Sequence, residues 1–161
     1  MIFVTVSGFK FERLVKKMDE IAGRLKERVV MQTGLTSYKP RNAKYSKYID
    51  PSRLAKAIES SRLVVSHGGA GSIIDALKSG KPLIVVPRKK EFGECSSDHQ
   101  LQLARQLERE GLAEAVYDVE GLEEKIKSMP KRRRAYKSSE RKKLINFLND
   151  YLRGLCEQTT Q

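Results

Sequence analysis

The sequence has few of the features that disulfide-bonded, zinc-binding or membrane-spanning proteins need. Its two cysteines, Cys95 and Cys156, lie far apart and form no CxxC pair, so we expect neither a disulfide scaffold nor a metal site, and a reducing compartment fits. No apolar run approaches the roughly 20 residues that a membrane-spanning helix requires. The apolar start, Ile2–Val6, is too short for a secretory signal and has no basic segment before it. We therefore expect a cytoplasmic chain without a membrane anchor of its own.

Two familiar nucleotide-binding signatures are also absent. The pattern GxGxxG fails because residues 69–74 read Gly-Ala-Gly-Ser-Ile-Ile. The Walker pattern fails because Pro82 follows Gly80 and Lys81, and because Asp75 stands where that pattern has glycine. A nicotinamide cofactor or ATP is therefore disfavoured relative to another diphosphate, and no cofactor is expected.

The chain is strongly basic, and its charge is unevenly distributed. A length of 161 residues suits one domain, and 39% apolar residues suffice for an α/β core. The net charge of +12 favours an anionic partner, which could be nucleic acid, a membrane surface or a phosphorylated ligand. Lysine and arginine dominate Lys131–Lys143, and Leu144–Leu155 then carries apolar residues at helical spacing. We therefore predict an α/β domain over residues 1–129 and a basic segment with a C-terminal amphipathic helix over 130–161.

Short apolar runs alternate with amphipathic stretches of helical period as far as Ser128. One predicted helix is capped by Asp50 with Pro51 at its first position, and another ends at Gly80. The polar stretch Thr36–Lys47 is predicted to be a loop, with Tyr45–Asp50 as a candidate short strand. The alternation predicts a Rossmann-like parallel sheet flanked by helices. The main predicted strands are Ile2–Val6, Arg28–Gln32, Arg62–Ser66, Pro82–Pro87 and Ala113–Tyr117.

Four loops follow predicted strands, and a parallel sheet gathers such loops at one edge, where ligands bind. They are Ser7–Gly8, Gln32–Gly34, His67–Ser72 and Arg88–His99. In the third loop a buried strand runs into a glycine-rich turn and then into a helix. Glycines let the backbone approach a ligand closely, and the first N–H groups of a helix attract an anion. This loop therefore predicts a phosphate site.

Several segments, in the same order along the chain, resemble the signature of glycosyltransferase family 28 C-terminal domains. They are Phe3–Gly8, Gln32–Gly34, Ser66–Leu77, Gly80–Pro87 and Asp98–Ala104. The resemblance covers roughly residues 1–128. The same segments also resemble the small cytosolic subunits of two-subunit UDP-N-acetylglucosamine transferases, which act in lipid-linked oligosaccharide assembly. Bacterial exopolysaccharide glycosyltransferase subunits are similar too. The order of these segments identifies the family but not the sugar that the donor carries.

The resemblance implies the C-terminal, donor-binding half of a GT-B fold, with a separate membrane-anchored subunit as the acceptor-binding half. The implied reaction is inverting transfer of a sugar, GlcNAc before other candidates, from a UDP-sugar to a polyprenyl- or dolichyl-diphosphate-linked acceptor at the cytoplasmic face of a membrane. Helix amides would stabilise the charge that builds on the leaving diphosphate without a metal. The resemblance places the general base in the partner subunit, so no catalytic residue is assigned in this chain.

The resemblance also assigns contacts to the donor, residue by residue. The amides at the helix start, with His67 and the loop Ser7–Gly8, would hold the diphosphate. Asp75 stands where the family usually has a ribose-binding glutamate. Gln100, with His99, matches a contact to the donor sugar, and Tyr48 lies near the uracil-binding stretch. The full predicted donor set is Ser7, Gly8, Tyr48, His67, Gly68, Gly69, Ala70, Gly71, Ser72, Asp75, His99 and Gln100.

Other classes of function stay open at this level. The positive charge also suits a nucleic-acid-binding module, although no RNP, KH or zinc-finger pattern is present. A non-catalytic scaffold could keep the fold alone, and a self-sufficient homodimer would lack the second domain of a complete GT-B enzyme. The segment Lys131–Lys143 is either a solvated face or a surface for anionic lipid headgroups. The expected partners are a UDP-sugar, the acceptor-binding subunit and its lipid-linked acceptor, with no nucleic acid.

Overall fold

The computed structural model of the protein describes residues 1–129 and the isolated residue Asn146. The predicted basic segment and, apart from Asn146, the predicted C-terminal helix lie outside the described residues, so the domain boundary stays a prediction. In the described part of the chain, no helix is long and apolar enough to cross a bilayer. The strands are β1 (Ile2–Thr5), β2 (Val29–Gln32), β3 (Lys44–Ser46), β4 (Leu63–Ser66), β5 (Leu83–Val85) and β6 (Glu114–Ala115). The α-helices are α1 (Glu12–Arg24), α2 (Pro51–Ser60), α3 (Ala70–Lys78), α4 (His99–Arg109) and α5 (Leu122–Ser128).

These strands form one parallel sheet in the order β3-β2-β1-β4-β5-β6. The central strand β1 pairs on both sides, with Ile2 opposite Val29 of β2 and opposite Leu63 of β4. The chain winds outward from β1 to β3, returns, and then winds the other way from β4 to β6. This order confirms the predicted Rossmann-like sheet, and it puts the topological switch point between β1 and β4.

Helices cover both faces of the sheet, because its central strands are apolar on both sides. Strands β1 and β4 are buried along their whole length. Each large apolar side chain that the helices bury against them contributes about 1.5–3 kcal/mol to stability. This two-sided core holds the strand ends from which the loops of the site begin. The helical contribution comes from Leu14, Met18 and Ile21 on one face and from Ile73, Leu77, Leu103 and Leu107 on the other.

Two predicted helix boundaries agree with the structure. Helix α2 begins with Pro51, and the Asp50 carboxylate before it accepts a hydrogen bond from the Arg53 N–H at 3.0 Å. Helix α3 ends just before Gly80, which has a φ of +63°. Glycine adopts that left-handed conformation without the steric cost that a side chain would add. Both ends follow from short-range signals that the sequence carries.

The edge strand β3 corrects one prediction. The polar stretch Thr36–Lys47 was predicted to be a loop, but Lys44–Ser46 within it is a strand, which overlaps the candidate strand Tyr45–Asp50 only in part. All three side chains of β3 are exposed. The strand pairs with Val30–Gln32 through main-chain hydrogen bonds, so no apolar alternation marks it in the sequence.

A buried carboxylate on α1 fixes the chain just before β3. Asp19 accepts hydrogen bonds from the Tyr38 hydroxyl at 2.8 Å and from the N–H groups of Arg41 and Asn42 at 2.9 and 2.8 Å. Burial alone would raise the pKa of Asp19, but these hydrogen bonds outweigh it and lower the pKa below its ordinary value. Asp19 therefore stays ionised and sets the path of the chain toward Tyr48, which follows β3.

Candidate functional site

The predicted phosphate loops meet at the carboxyl edge of the sheet, beside the switch point. Thr5, at the end of β1, pairs with Ser66, at the end of β4. The loops Ser7–Gly8 and His67–Ser72 therefore leave the sheet next to each other. In open α/β sheets this crevice is the usual place for a ligand.

The turn between β4 and α3 has a shape that requires its glycines. Gly68 has a φ of +86°, and a Cβ atom built there would lie 3.3 Å from the Cβ atom of Gln100. A Cβ atom at Gly69 would lie 2.3 Å from Nε2 of His67, which no real structure tolerates. Gly69 caps α3 without a side-chain hydrogen bond, so within the described residues the first-turn N–H groups have no such acceptor. The turn therefore presents backbone donors in the way that anion sites do.

His67 lies beneath this turn and is 4% exposed. Its Nδ1 lies 3.3 Å from the carbonyl oxygen of Thr5, and because a carbonyl only accepts, Nδ1 carries the proton. Burial, followed by the positive charge of Arg88, lowers the pKa of His67 to about 4. The ring is therefore neutral at pH 7, with Nε2 as an acceptor against Gly69. This geometry favours a role in shaping the turn, and a direct contact to phosphate stays a prediction.

The loop after β1 is held in an unusual conformation. Ser7 has a φ of +56°, which is uncommon for a residue with a side chain. Its N–H donates to Oγ1 of Thr5 at 3.1 Å, and that hydroxyl donates to Oε1 of Gln32 at 2.8 Å. Gly34 packs so closely that a Cβ atom there would lie 2.5 Å from the carbonyl oxygens of Ser7 and Phe9. The predicted loops after β1 and β2 thus support each other.

Tyr48 lies next to the first phosphate loop. A Cβ atom on Gly8 would lie 3.9 Å from Cε1 of Tyr48. The side chain of Tyr48 is 58% exposed, so it is not a core residue and its ring is available at the edge of the site. Main-chain hydrogen bonds from Thr33 to Ser46 and from Gly34 to Lys47 hold the segment before it. The structure therefore joins two parts of the predicted donor set that lie 40 residues apart.

The remaining predicted residues lie at the starts of α3 and α4. Oε1 of Gln100 accepts the main-chain N–H of Arg88 at 3.1 Å, and its side chain packs against Gly68. His99 is the half-buried first residue of α4. Asp75 is exposed on the second turn of α3, with its carboxylate open to a ligand. The structure thus brings Gln100 to the glycine turn, and places Asp75 further along the same helix.

Arg88 belongs to this site, and the sequence analysis did not single it out. It is 3% exposed at the end of the β5 segment. Its Nη2 donates to the carbonyl oxygen of Val6 at 2.9 Å, and its guanidinium carbon lies 5.1 and 5.4 Å from the ring centres of Phe9 and Phe11. Burial lowers the pKa of Arg88 to about 10, so the side chain is still a cation at pH 7. The signal in the sequence was its position, as the first residue after the apolar run Pro82–Pro87.

A cavity of about 600 Å³ lies on the other side of the first loop. Three of its lining side chains, Phe9, Leu35 and Phe92, are 64%, 61% and 56% exposed. None of the predicted donor residues lines this cavity; we call the group that these residues form at the carboxyl edge of the sheet the donor shelf. In the described part of the chain, no three His, Cys, Asp or Glu side chains cluster in a way that could hold a metal ion. The cavity is lined by Phe9, Lys10, Phe11, Glu12, Arg13, Leu35, Phe92, Gly93 and Glu94.

Comparison with known proteins gives a family match over most of the chain. The model of the glycosyltransferase family 28 C-terminal domain matches residues 1–153. The UDP-N-acetylglucosamine transferase subunit ALG13 of Homo sapiens is 33% identical over 121 residues, which are 68% of this chain and 10% of that protein. ALG13 of Candida albicans (strain SC5314 / ATCC MYA-2876) is 36% identical over 74 residues, which are 46% of this chain and 24% of that protein. This chain thus spans about a tenth of the human relative's length and about a quarter of the fungal one's.

Solved structures share the fold. An NMR solution structure of ALG13 has a TM-score of 0.62 at 19% identity, over 91% of this chain and 94% of that one. The crystal structure of the glycosyltransferase of kitacinnamycin also has a TM-score of 0.62 at 19% identity, over 95% of this chain and 39% of that one. At these identities the likeness concerns the fold alone. It confirms the prediction of one half of a GT-B architecture.

Proposed function

Because the chain belongs to the glycosyltransferase family 28 C-terminal domain family, we propose that it is the donor-binding subunit of an inverting glycosyltransferase. It takes a sugar, with GlcNAc as the first candidate, from a UDP-sugar. It passes that sugar to a polyprenyl- or dolichyl-diphosphate-linked acceptor, which a membrane-anchored subunit binds. The names of the human and mouse relatives, UDP-N-acetylglucosamine transferase subunits, support the donor and the division into subunits.

The observation that carries this proposal is the start of α3 and what surrounds it. The glycine turn presents helix amides that no side chain of the described residues caps. Gln100 packs against Gly68 on one side, and Tyr48 lies beside Gly8 on the neighbouring loop. A diphosphate at the amides would therefore have a polar side chain on the side of the sugar and an aromatic ring on the side of the base. A nucleoside diphosphate-sugar has this order of groups.

The chemistry follows from where charge develops. The acceptor hydroxyl attacks the anomeric carbon from the face opposite the leaving group, which inverts that carbon. The bond from the anomeric carbon to the β-phosphate oxygen breaks, and UDP keeps the electron pair. The N-terminal amides of α3 point at the place where this negative charge grows, and they are already oriented before the reaction. Their stabilisation is therefore stronger in the transition state than in the ground state.

A general base must take the proton of the acceptor hydroxyl. Among the described residues of the site, His67 is buried beneath the turn, and its Nε2 packs against Gly69. Asp75 lies on the second turn of α3, away from the helix start. We assign the base to the acceptor-binding subunit, where the family resemblance also places it.

The openness of the site supports the need for a partner. Among the described residues of the donor shelf, Tyr48, Gly71 and Asp75 are exposed, so water has access to this part of the site. Closing an active site against water strengthens its electrostatic interactions and prevents hydrolysis of the donor. The neighbouring cavity also exposes Phe9, Leu35 and Phe92 at this edge, and exposed apolar groups of this size mark surfaces that other molecules cover. A second subunit that covers this edge would complete the cleft and keep the complex at the cytoplasmic face of its membrane.

Isothermal titration of the purified chain with UDP and with ADP tests the donor part of the proposal. We expect UDP to bind at least about tenfold more tightly than ADP, because a site that hydrogen-bonds one base leaves its polar groups unpaired with another. Asp75→Ala should weaken UDP binding by about tenfold, the loss expected for one hydrogen bond to a charged group. Glu59→Ala, an exposed carboxylate on α2, is the matched control and should bind UDP like the wild type.

The same titration with the acceptor-binding subunit co-expressed tests the partner part. Transfer to a lipid-linked acceptor should require both chains, because the isolated chain lacks the base and the closed cleft. A lack of UDP binding both alone and in the complex would rule the proposal out. If the chain binds UDP and transfers the sugar equally well without its partner, the proposed donor site stands and the proposed need for a partner is refuted.

A further inference from the structure

The most unusual charge in the described part of the chain is that of Arg88. Buried charged side chains are normally paired with an opposite charge, because desolvation of an isolated ion is costly. Arg88 is 3% exposed, and its Nε has no hydrogen-bond partner among the described residues. Glu94 acts on Arg88 through its charge, but both of its carboxylate oxygens already bind Arg13, each at 2.9 Å. Arg88 therefore holds a desolvated positive charge that forms no direct ion pair with a described carboxylate.

Its contacts place this charge under the donor shelf. Nη2 of Arg88 binds the carbonyl oxygen of Val6, the residue directly before the loop Ser7–Gly8. The main-chain N–H of Arg88 donates to Gln100, which in turn packs against Gly68. The positive charge of Arg88 also acts on His67 beneath the glycine turn, where it contributes to the lowered pKa of that ring. Arg88 thus connects the loops after β1, β4 and β5.

We propose that Arg88 supplies the fixed positive charge whose field attracts the diphosphate of the donor. The proposal rests on the proposed function and extends it to a residue outside the predicted donor set. Folding has already removed water from the guanidinium, and the rings of Phe9 and Phe11 hold it in place. The charge is already in place when an anion arrives at the donor shelf, so no protein group has to reorient. A preorganised charge of this kind stabilises an anion most strongly. Arg88 acts through its field and through the loops that it holds, so it is a positioning residue.

The alternative is that Arg88 only ties the loops together. Arg88→Met separates the two roles, because the methionine keeps an apolar side chain against the rings and removes the charge. A charge that serves the diphosphate matters for UDP and not for uridine, whereas a purely structural role affects both ligands. NMR titration reaches millimolar affinities, so it can measure both.

We expect Arg88→Met to weaken UDP binding by about tenfold or more, as loss of one partner of a desolvated charge pair does. Its affinity for uridine should stay within about twofold of the wild type. Arg88→Lys should recover most of the UDP affinity, because it restores the charge without the planar fork. This second variant also keeps the test informative if the methionine variant fails to fold.

The matched control is Arg13→Met. Arg13 also stacks on aromatic rings, with its guanidinium carbon 5.4 Å from the ring centre of Phe11 and 5.0 Å from that of Phe92. Its charge is neutralised by Glu94, so its removal should not affect UDP more than uridine. Equal losses of UDP and uridine in Arg88→Met, or no loss of UDP, would overturn the proposal for Arg88. A wild-type chain that binds neither ligand, alone or with its partner, would instead refute the proposed function.

Discussion

The buried imidazole of His67 governs how the stability of this domain responds to mild acid. In the folded state its pKa is lowered to about 4, against an ordinary value of 6.5. Between these two values the unfolded chain binds a proton that the folded chain does not. Stability therefore falls as the pH decreases through this window, and the contribution of His67 is constant above about pH 7.

This linkage gives a prediction at the scale of one residue. Lowering the pH from 7 to 5 should cost the wild type about 2 kcal/mol of unfolding free energy through His67 alone. His67→Gln carries no titrating ring and should lose that part of the pH dependence, whatever its stability at pH 7. Urea denaturation at both pH values measures the difference. Parallel pH profiles for the two proteins would show that the ring is not held neutral.

Residue types and their neighbours along the chain allowed most of the site to be predicted, but not Arg88. Motif order identified the glycine turn and Gln100, and the structure places them in contact. Arg88 differs because its role depends on burial and on the lack of a direct ion pair with a described carboxylate. Both arise only when the loop after β1 folds over β5, and no local pattern encodes that contact.

At the scale of elements, the turn between β4 and α3 distinguishes two glycines that look alike in the sequence. A Cβ atom at Gly69 would collide with the ring of His67, whereas at Gly71 it would meet nothing within 4 Å. The first glycine is required by packing beneath the helix. The second lies inside the first turn of α3, where it lowers helix stability relative to alanine.

Two alanine substitutions should therefore have opposite effects on stability. Gly69→Ala should destabilise the domain by about 1–3 kcal/mol, the usual cost of forcing an extra methyl group into packed surroundings. Gly71→Ala should raise stability by about 0.4–1 kcal/mol, because it reduces the freedom of the unfolded chain without a clash. Chemical denaturation of both variants beside the wild type tests this contrast. Equal effects would mean that His67 does not pack under the turn as the structure describes.

The sequence predicted elements well where burial imposes a pattern. Strands β1 and β4 carry continuous apolar residues, and they form within one residue of the predicted limits. Strand β3 lies in a stretch that was predicted to be a loop because it is polar, and the candidate strand Tyr45–Asp50 overlaps it only at Tyr45 and Ser46. Its formation depends on the edge of β2 and on the contacts of Asp19 with the preceding segment. These are tertiary interactions that a polar run of residues does not reveal.

At the scale of the whole molecule, the distribution of charge separates two tasks. Residues 130–161 contain nine of the 32 lysines and arginines but three of the 20 acidic residues, so half of the net charge of +12 belongs to the last fifth of the chain. The donor site needs positive charge only near the diphosphate. The excess beyond residue 129 is therefore available for a different anionic surface, and the proposed lipid-linked acceptor suggests a membrane.

We predict that the segment Lys131–Lys143 binds anionic lipid headgroups, with up to about 1 kcal/mol for each basic residue near the surface. A variant with every lysine and arginine of this segment changed to glutamine should lose sedimentation with phosphatidylserine-containing vesicles and keep its affinity for UDP. The control neutralises the same number of exposed lysines and arginines within residues 1–129 and should still sediment. Neither variant should sediment with neutral phosphatidylcholine vesicles, because the attraction between the basic segment and the headgroups is electrostatic. Unchanged sedimentation of the first variant would refute the lipid surface. A nucleic-acid-binding module would be favoured instead if the wild type bound random RNA tightly, with a steep dependence on salt, and did not bind UDP.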